Sequence, residues 1–542
     1  MDISTDQADL LKASRDTSLF QVMPQEIAYP KNVEEMSELV KSTKTSITAR
    51  AAGTDMSGGP LNSGTIISFT KYMNKVLEVL PAQAGGFDGY AITEPGVFYR
   101  DFEKATLAKG LILPSYPASR ELCAMGGIVS NNSGGERTLE YGKTEKYIEE
   151  LEVVLSDGTI TTFKALSPSE LAMKKVKNDL EGEIYRQVDE MLTENATLIE
   201  AHRPKVSKNS AGYYLWNIKD PEKNTFNLAK LICGSQGTLA LWSKAKLGLV
   251  KPKEHRAMLV VFLHDLEKLP TIVSRVLPFG PESFESYDDH TFELAVRFLP
   301  QMLSQMGFAK AARLGIDFLP EAELVLTGGV PKLILMAEFA EDTIEEADKK
   351  ALAAQAALAD LGLKTKIEKN ERESEKYWIV RRESFALLRK NLRGMYASPF
   401  IDDFVVPPST YTQFLPELNK LLDQYKDKMI YTVAGHIGNG NFHIIPLMDL
   451  SKPESKQVVL ELAPKVYELV IKYGGTTTGE HNDGIIRTPY LPMLFGPQMM
   501  ALFEATKKVF DPKNIFNPGK KVGSTFSDAY AHLDLPSVQG NF

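Results

Sequence analysis

Apolar positions recur three and four residues apart from Val33 to Ser42, which predicts an amphipathic helix. The pattern then shortens to Ser46-Ile47-Thr48-Ala49-Arg50, a short strand, and after a glycine-rich stretch to a second strand, Thr65-Ile66-Ile67-Ser68-Phe69. From about residue 85 to 250 short strands and turns dominate. Glu152 to Ser156, Asp157-Gly158 and Thr159 to Phe163 form a hairpin signature. Pro252, inside the charged run Lys251 to Arg256, marks a boundary. Beyond it, the apolar strands Ala257 to Leu263 and Leu333 to Phe339 each precede a helix pattern, Leu266 to Leu277 and Thr343 to about Leu361. Such units predict an open sheet with helices on one face. A last long helix, Pro497 to Phe510, stops at Asp511-Pro512-Lys513-Asn514, and Ser524 to Phe542 reads as a loosely held tail.

At 542 residues the chain exceeds a single core, so two or three domains are expected. A net charge of −8 argues against a nucleic-acid partner. Cys123 and Cys233 are the only cysteines, too few for an iron–sulfur framework, and they fit a reducing compartment. The polar, acidic start lacks the features of a signal peptide, and no apolar run reaches the roughly 20 residues of a transmembrane segment. A cytoplasmic protein is expected, at most peripheral to the inner membrane, with a homodimer left open.

The densest candidate chemistry lies near the C-terminus, in Gly435-His436-Ile437-Gly438-Asn439-Gly440-Asn441-Phe442-His443 and Gly479-Glu480-His481. Asn439-Gly440 predicts a two-residue type I′ turn, which would set His436 directly opposite His443 on one sheet face. Two imidazoles so placed, with Glu480, can hold a divalent metal, and His481 would stand beside it as a base. A polar turn with hydrogen-bonded histidines is the alternative.

Three further segments are rich in glycine. Arg50-Ala51-Ala52-Gly53-Thr54-Asp55-Met56-Ser57-Gly58-Gly59 offers backbone amides and hydroxyls to an anion such as a pyrophosphate, yet follows neither the P-loop nor the Rossmann spacing. Gly126-Gly127-Ile128-Val129-Ser130-Asn131-Asn132-Ser133-Gly134-Gly135 suits close approach to a flat ligand, and Gly234-Ser235-Gln236-Gly237-Thr238 again presents backbone. Plain loops and tight turns are the alternatives for these segments.

Taken together, these motifs resemble the FAD-linked D-2-hydroxyacid dehydrogenases of the vanillyl-alcohol-oxidase/p-cresol-methylhydroxylase type. The resemblance runs from about residue 18 to 523 and includes Asp511-Pro512-Lys513-Asn514-Ile515-Phe516-Asn517-Pro518-Gly519-Lys520. It implies an α+β protein: a two-part FAD-binding domain over residues 1–252, split near 80, and an α+β substrate (cap) domain with an antiparallel sheet over 253–483. Residues 484–523 would return to the FAD domain, and 524–542 would be the tail. It further implies that Ala51, Ala52, Gly53, Thr54, Asp55, Met56, Ser57 and Gly58 cradle the FAD pyrophosphate. Pro117, Gly126, Gly127, Ser130, Asn131 and Ser133 would flank the ribityl chain and flavin, joined by Gly237, Thr238 and Asn517. His436, His443 and Glu480 would ligate zinc or manganese, His481 would be the base, and Arg381, ahead of Arg382 or Arg487, would pair with the substrate carboxylate. An ion pair with Glu383 is the competing role for Arg381.

The implied activity is oxidation of a small 2-hydroxy acid, D-lactate ahead of D-2-hydroxyglutarate or glycolate. Electrons would pass to an unidentified acceptor: a quinone, cytochrome or other carrier. Ile401 stands where some relatives keep a substrate-binding lysine, which weighs against a long dicarboxylate. No histidine lies between Arg50 and Gly59, where covalently flavinylated relatives attach the cofactor, so noncovalent FAD is expected. A flavin oxidase using O2, a non-catalytic flavin- or metal-binding protein and a non-redox ether-lipid synthase are the competing readings.

Overall fold

Three sheets organise the chain. In the first, strand Thr65–Ser68 pairs in parallel with both Glu26–Tyr29 and Ile47–Arg50, and Asp2–Ser4 adds an antiparallel edge. The helix Val33–Ser42 makes the crossover; Asn32 caps it by accepting the Glu35 N–H, and Val33, Met36, Leu39 and Val40 form its buried stripe. The second sheet is antiparallel, in the order Val76–Pro81, Gly89–Thr93, Leu241–Leu249, Ile148–Val154, Ile160–Lys164. Its last two strands are the hairpin expected around Asp157-Gly158, with Val154 facing Ile160. The computed structural model describes residues 1–82, 86–289, 291, 329–370, 372–381 and 396–533.

The third sheet has seven antiparallel strands, in the order Lys364–Glu368, His255–Leu263, Leu333–Glu341, Ser283–Asp288, Val433–His436, Asn441–Ile444, Phe404–Val405. Helices do not cover one face only. Leu269–Val276 and Ile344–Ala356 pack in the core that holds Ala257, Leu259, Val261 and Leu263. The alternate residues Met258, Val260 and Phe262 pack against Tyr377, Trp378 and Val380 of a helix over 372–381. An unbroken apolar strand has two faces to bury, and here each has its own helical cover.

The last long helical stretch, Leu491–Phe510, breaks at Gly496 (φ 70°, ψ 168°), so Pro497 opens a separate stretch as its sequence suggests. Beyond it the backbone rejoins the first sheet. The Ile47 N–H donates to the Ile515 carbonyl at 2.7 Å, and the Asn517 N–H to the Ile47 carbonyl at 2.8 Å. The tail differs from expectation. Thr525 and Asp528 form a capping box on a helix Phe526–Ala531 that buries Ala529, and Tyr530 meets Tyr490 hydroxyl to hydroxyl at 2.9 Å. Leu533 bridges to Phe20, so this segment covers apolar surface that would otherwise face water.

Asn517 shows how tightly the return is made. Its side chain donates to the Gly59 carbonyl at 2.9 Å and the Gln236 carbonyl at 2.7 Å, and accepts from the Thr48 hydroxyl at 2.9 Å. Asn517→Ala should therefore cost about 2–4 kcal/mol of stability, since it strands buried partners. The measurement is the urea midpoint at unchanged m value; a midpoint equal to that of the parent protein would show the return to be dispensable.

Candidate active site

The strands Val433–His436 and Asn441–Ile444 carry the two expected ligand histidines, but in a different register. His436 pairs with Asn441 and His443 with Ala434, so the histidines are diagonal rather than opposed. The connection is a 3₁₀ turn, Ile437–Asn439, closed by Gly440 at φ 75°. Only Gly440 takes positive φ, so a type I′ turn does not form. Two neighbours decide this. A Cβ at Gly440 would meet the Val406 carbonyl at 1.9 Å, and the Asn439 amide is spent on the Ser207 hydroxyl at 3.1 Å. A slip of two residues keeps both rings on one sheet face, and their centroids lie 5.1 Å apart.

Glu480 and His481 arrive on the loop before the short helix Gly484–Arg487. Asp403 fixes that loop. Fully buried at φ 69°, its carboxylate accepts from the N–H groups of Gly479 (3.1 Å), Glu480 (3.0 Å) and His481 (2.8 Å) and from the Thr478 hydroxyl (2.5 Å). The outcome is one cluster in which Nε2 of His436 lies 3.0 Å from Glu480 Oε1. One ligand atom from each of His436, His443 and Glu480 falls within 4.8 Å of the others, and the same holds for Asp402, His443 and His481.

Buried acids meet every imidazole at Nδ1. Glu285 Oε1 lies 2.6 Å from His436, Asp402 Oδ1 lies 3.1 Å from His443, and Asp402 Oδ2 lies 2.9 Å from His481, the last out of line for a hydrogen bond. Nδ1 tethering by carboxylates is the arrangement that orients metal-ligating histidines. The donor set therefore fits a divalent ion held by His436, His443 and Glu480. Lys208, wholly buried, already brings a positive charge to Glu480 Oε1 and also donates to the Gly135 carbonyl at 3.3 Å.

Electrostatics follow from this crowding. Burial pushes the Glu480 carboxyl up, but Lys208 and His436 outweigh it and hold the group well below the usual range. Burial pushes the His481 imidazole down, but Asp403 and Asp402 outweigh it and raise the group to about 9. The ring is thus protonated at neutral pH in the ion-free site. A divalent ion held by the neighbouring ligands would favour its neutral form.

Arg381, at the end of the helix over 372–381, reaches Glu285 Oε2 at 3.3 Å, and its buried Nε has no acceptor among the described residues. Among the described residues its ion-pair partner is Glu285; Arg382 and Glu383 lie outside them. Arg487 is fully buried and donates to the carbonyls of Asn482 (3.0 Å) and Asp402 (2.8 Å). Ile401 is buried in the helix-side core.

The glycine-rich segments converge. Gln236 donates to Asn131 Oδ1 at 3.1 Å and accepts the Gly484 N–H at 2.8 Å, while Asn131 donates to Asp55 Oδ2 at 2.7 Å. Backbone N–H groups from Ala51 to Met56 have no partner among the described residues and lie half-buried, as an anion cradle requires. Those of Ser57 and Gly58 are spent on Asp55 and Asp16. A Cβ at Gly127 would meet open space, leaving room beside the helix Met125–Asn131. Pro117 is half-buried and Gly237 takes φ 67°. Gly126 packs so closely that a Cβ would meet the Pro95 carbonyl at 2.8 Å, and Ser133 is buried. Ser130 accepts from Trp242 at 3.2 Å, and the Thr238 hydroxyl is taken by Ser235 and Tyr213.

Residues 24–164 match the family described as FAD binding domain, and residues 252–521 the family described as FAD linked oxidases, C-terminal domain. The chain belongs to the FAD-linked oxidases. Within that family it is 27% identical over 96% of its length to D-2-hydroxyglutarate dehydrogenase of Escherichia coli (strain K12), covering 50% of that protein. Against the glycolate oxidase subunit GlcD of Bacillus subtilis (strain 168) it is 26% identical over 93% of its length and 90% of that protein. Against D-lactate dehydrogenase of Archaeoglobus fulgidus it is 27% identical over 92% and 91%. The chain spans about half the length of the four curated relatives named for D-2-hydroxyglutarate. The structure of p-cresol methylhydroxylase with substrate bound superposes with a TM-score of 0.66 at 15% identity, over 96% of this chain and 93% of that one. The fold is thus the expected α+β pairing of a vanillyl-alcohol-oxidase-type flavin domain with a second domain.

Sequence reasoning missed Asp402, Asp403, Glu285 and Lys208. The acidic pair was the available signal: two aspartates inside Phe400-Ile401-Asp402-Asp403-Phe404-Val405-Val406 must be buried, and buried charge demands partners. Replacing Asp403 with alanine strands three amides and frees the loop. Asp403→Ala should lower turnover at least about 100-fold, the scale of a misplaced catalytic group. Retained flavin would locate the damage in the loop; turnover close to the parent value would show that the loop holds itself.

Proposed function

We propose that this chain is an FAD-dependent, metal-assisted dehydrogenase of small D-2-hydroxy acids, D-lactate first among them, delivering electrons to a quinone, cytochrome or other carrier. The observation that carries this reading is the cluster of His436, His443 and Glu480, each imidazole set by a buried acid, with His481 and Arg381 at its edge.

FAD, held noncovalently, supplies the acceptor for the α-hydrogen and two electrons, and a divalent zinc or manganese ion supplies Lewis acidity toward the hydroxyl and carboxylate. The chain's own residues do the rest. Arg381, with one side committed to Glu285 and its Nε without an acceptor among the described residues, meets the substrate carboxylate with a fixed fork. His481 takes up the hydroxyl proton, after which Asp402 and Asp403 stabilise the imidazolium. The Asp403 clasp holds His481 at a constant distance from Glu480, so proton acceptor and ligand move as one piece.

The relatives named for D-lactate, glycolate and D-2-hydroxyglutarate share the 2-hydroxy acid unit, and Ile401, apolar and buried, favours the small members. Anaerobic mixing with D-lactate should bleach the flavin, with L-lactate inert and D-2-hydroxyglutarate slower. Bleaching by D-2-hydroxyglutarate alone would move the substrate to the dicarboxylate.

His436→Ala or His443→Ala should lose the metal and keep FAD. His481→Ala should keep the metal and slow flavin reduction about 10²- to 10⁴-fold, the range for a positioned base. Metal analysis beside stopped-flow reduction separates the roles; loss of metal from His481→Ala would overturn them. Acid precipitation should release yellow cofactor into the supernatant, and flavin left in the pellet would contradict noncovalent attachment.

A further inference from the structure

Asp402 is fully buried and touches two imidazoles with its two oxygens, Oδ1 at His443 and Oδ2 at His481. The rings are nearly parallel, 27° between planes and 5.3 Å between centroids. The backbone of Asp402 is itself anchored, because Arg487 grips its carbonyl with one nitrogen and the Asn482 carbonyl, next to His481, with another. The carboxylate therefore has a fixed address relative to both rings.

A carboxylate oxygen only accepts hydrogen bonds, so His443, bonded to Oδ1, carries its proton on Nδ1, and the negative charge of Oδ2 at 2.9 Å favours a proton on Nδ1 of His481 as well. That leaves Nε2 of each ring as the nitrogen with a free lone pair in the neutral state. For His443 this is the nitrogen a metal takes; for His481 it is the nitrogen that takes a proton.

We propose that Asp402 is a positioning residue shared by a metal ligand and the catalytic base, one carboxylate fixing the tautomer and orientation of His443 and His481 together. This rests on reading His443 as a ligand and His481 as the base. It adds that the two functions are coupled through a single side chain. Glu285 does the separate work for His436.

The isosteric substitution Asp402→Asn tests it. An amide offers one acceptor and one donor, so one of the two rings must turn to the other tautomer. Changing the partner of a catalytic histidine in this way costs about 10⁴-fold in serine proteases, and losing the partner of a ligand histidine costs about 10- to 100-fold in metal affinity. Purified Asp402→Asn protein should keep FAD and bind zinc 10- to 100-fold more weakly by titration calorimetry. At saturating zinc its anaerobic flavin reduction should slow 10²- to 10⁴-fold.

The decisive arm is a double-mutant cycle. In a His481→Ala background, Asp402→Asn should slow reduction by less than about 3-fold further, because its rate effect runs through the missing ring. Fully multiplicative losses, or zinc affinity and rate both within about 3-fold of the parent, would overturn the proposal. Should Asp402→Asn not fold, nitrogen-15 spectra of histidine-labelled wild-type protein decide instead: both rings must hold a proton on Nδ1, and a bare Nδ1 on either refutes the shared role. Failure of the underlying reading shows separately, in wild-type protein that binds no zinc or is reduced by no 2-hydroxy acid.

Discussion

The site depends on one buried carboxylate holding three consecutive backbone amides. Without Asp403, the segment Gly479 to His481 has no secondary structure to fix it, since it lies between the helix Pro453–Lys472 and the short helix Gly484–Arg487. A carboxylate that accepts three N–H groups stays ionised, and an ionised group in the interior must keep its donors. Burial pushes Asp403 up, but His481, Arg487 and His443 outweigh it and hold the carboxyl below the usual range. The left-handed backbone at Asp403 costs local energy, offset by five donors on one side chain, the Asn441 amide among them.

From that point charge organises the interior in alternation. Glu285 stands between His436 and Arg381, Glu480 between His436 and Lys208, and Asp402 between His443 and His481. Each buried carboxylate thus has a polar or cationic partner, and removing the Lys208 or Arg381 cation would leave buried negative charge less compensated. Lys208 joins the two halves of the chain, coming from the region before residue 252 to meet Glu480 far beyond it.

Much of this was legible in the residues. Helix Val33–Ser42 and the hairpin at Asp157-Gly158 follow directly from periodicity and turn chemistry. His436 and His443 share a face as Asn439-Gly440 suggests, but their register was not readable, because Val406 and Ser207, distant in sequence, press on the turn. The second helical cover of the seven-stranded sheet was implicit in the unbroken apolar run Ala257 to Leu263, which alternation alone does not explain. Glu285 and Lys208 carry no local signal, since their meaning comes only from the partners that folding brings to them.

The way the first sheet is completed has a consequence for synthesis. Ile515 and Asn517 hydrogen-bond to Ile47, so residues that leave the ribosome late finish a sheet whose other strands emerge at the start. Domains generally fold in the order in which they are made. Here the N-terminal sheet must wait through more than four hundred intervening residues with an unpaired edge exposed. Slowing translation would lengthen that exposure rather than help the sheet fold.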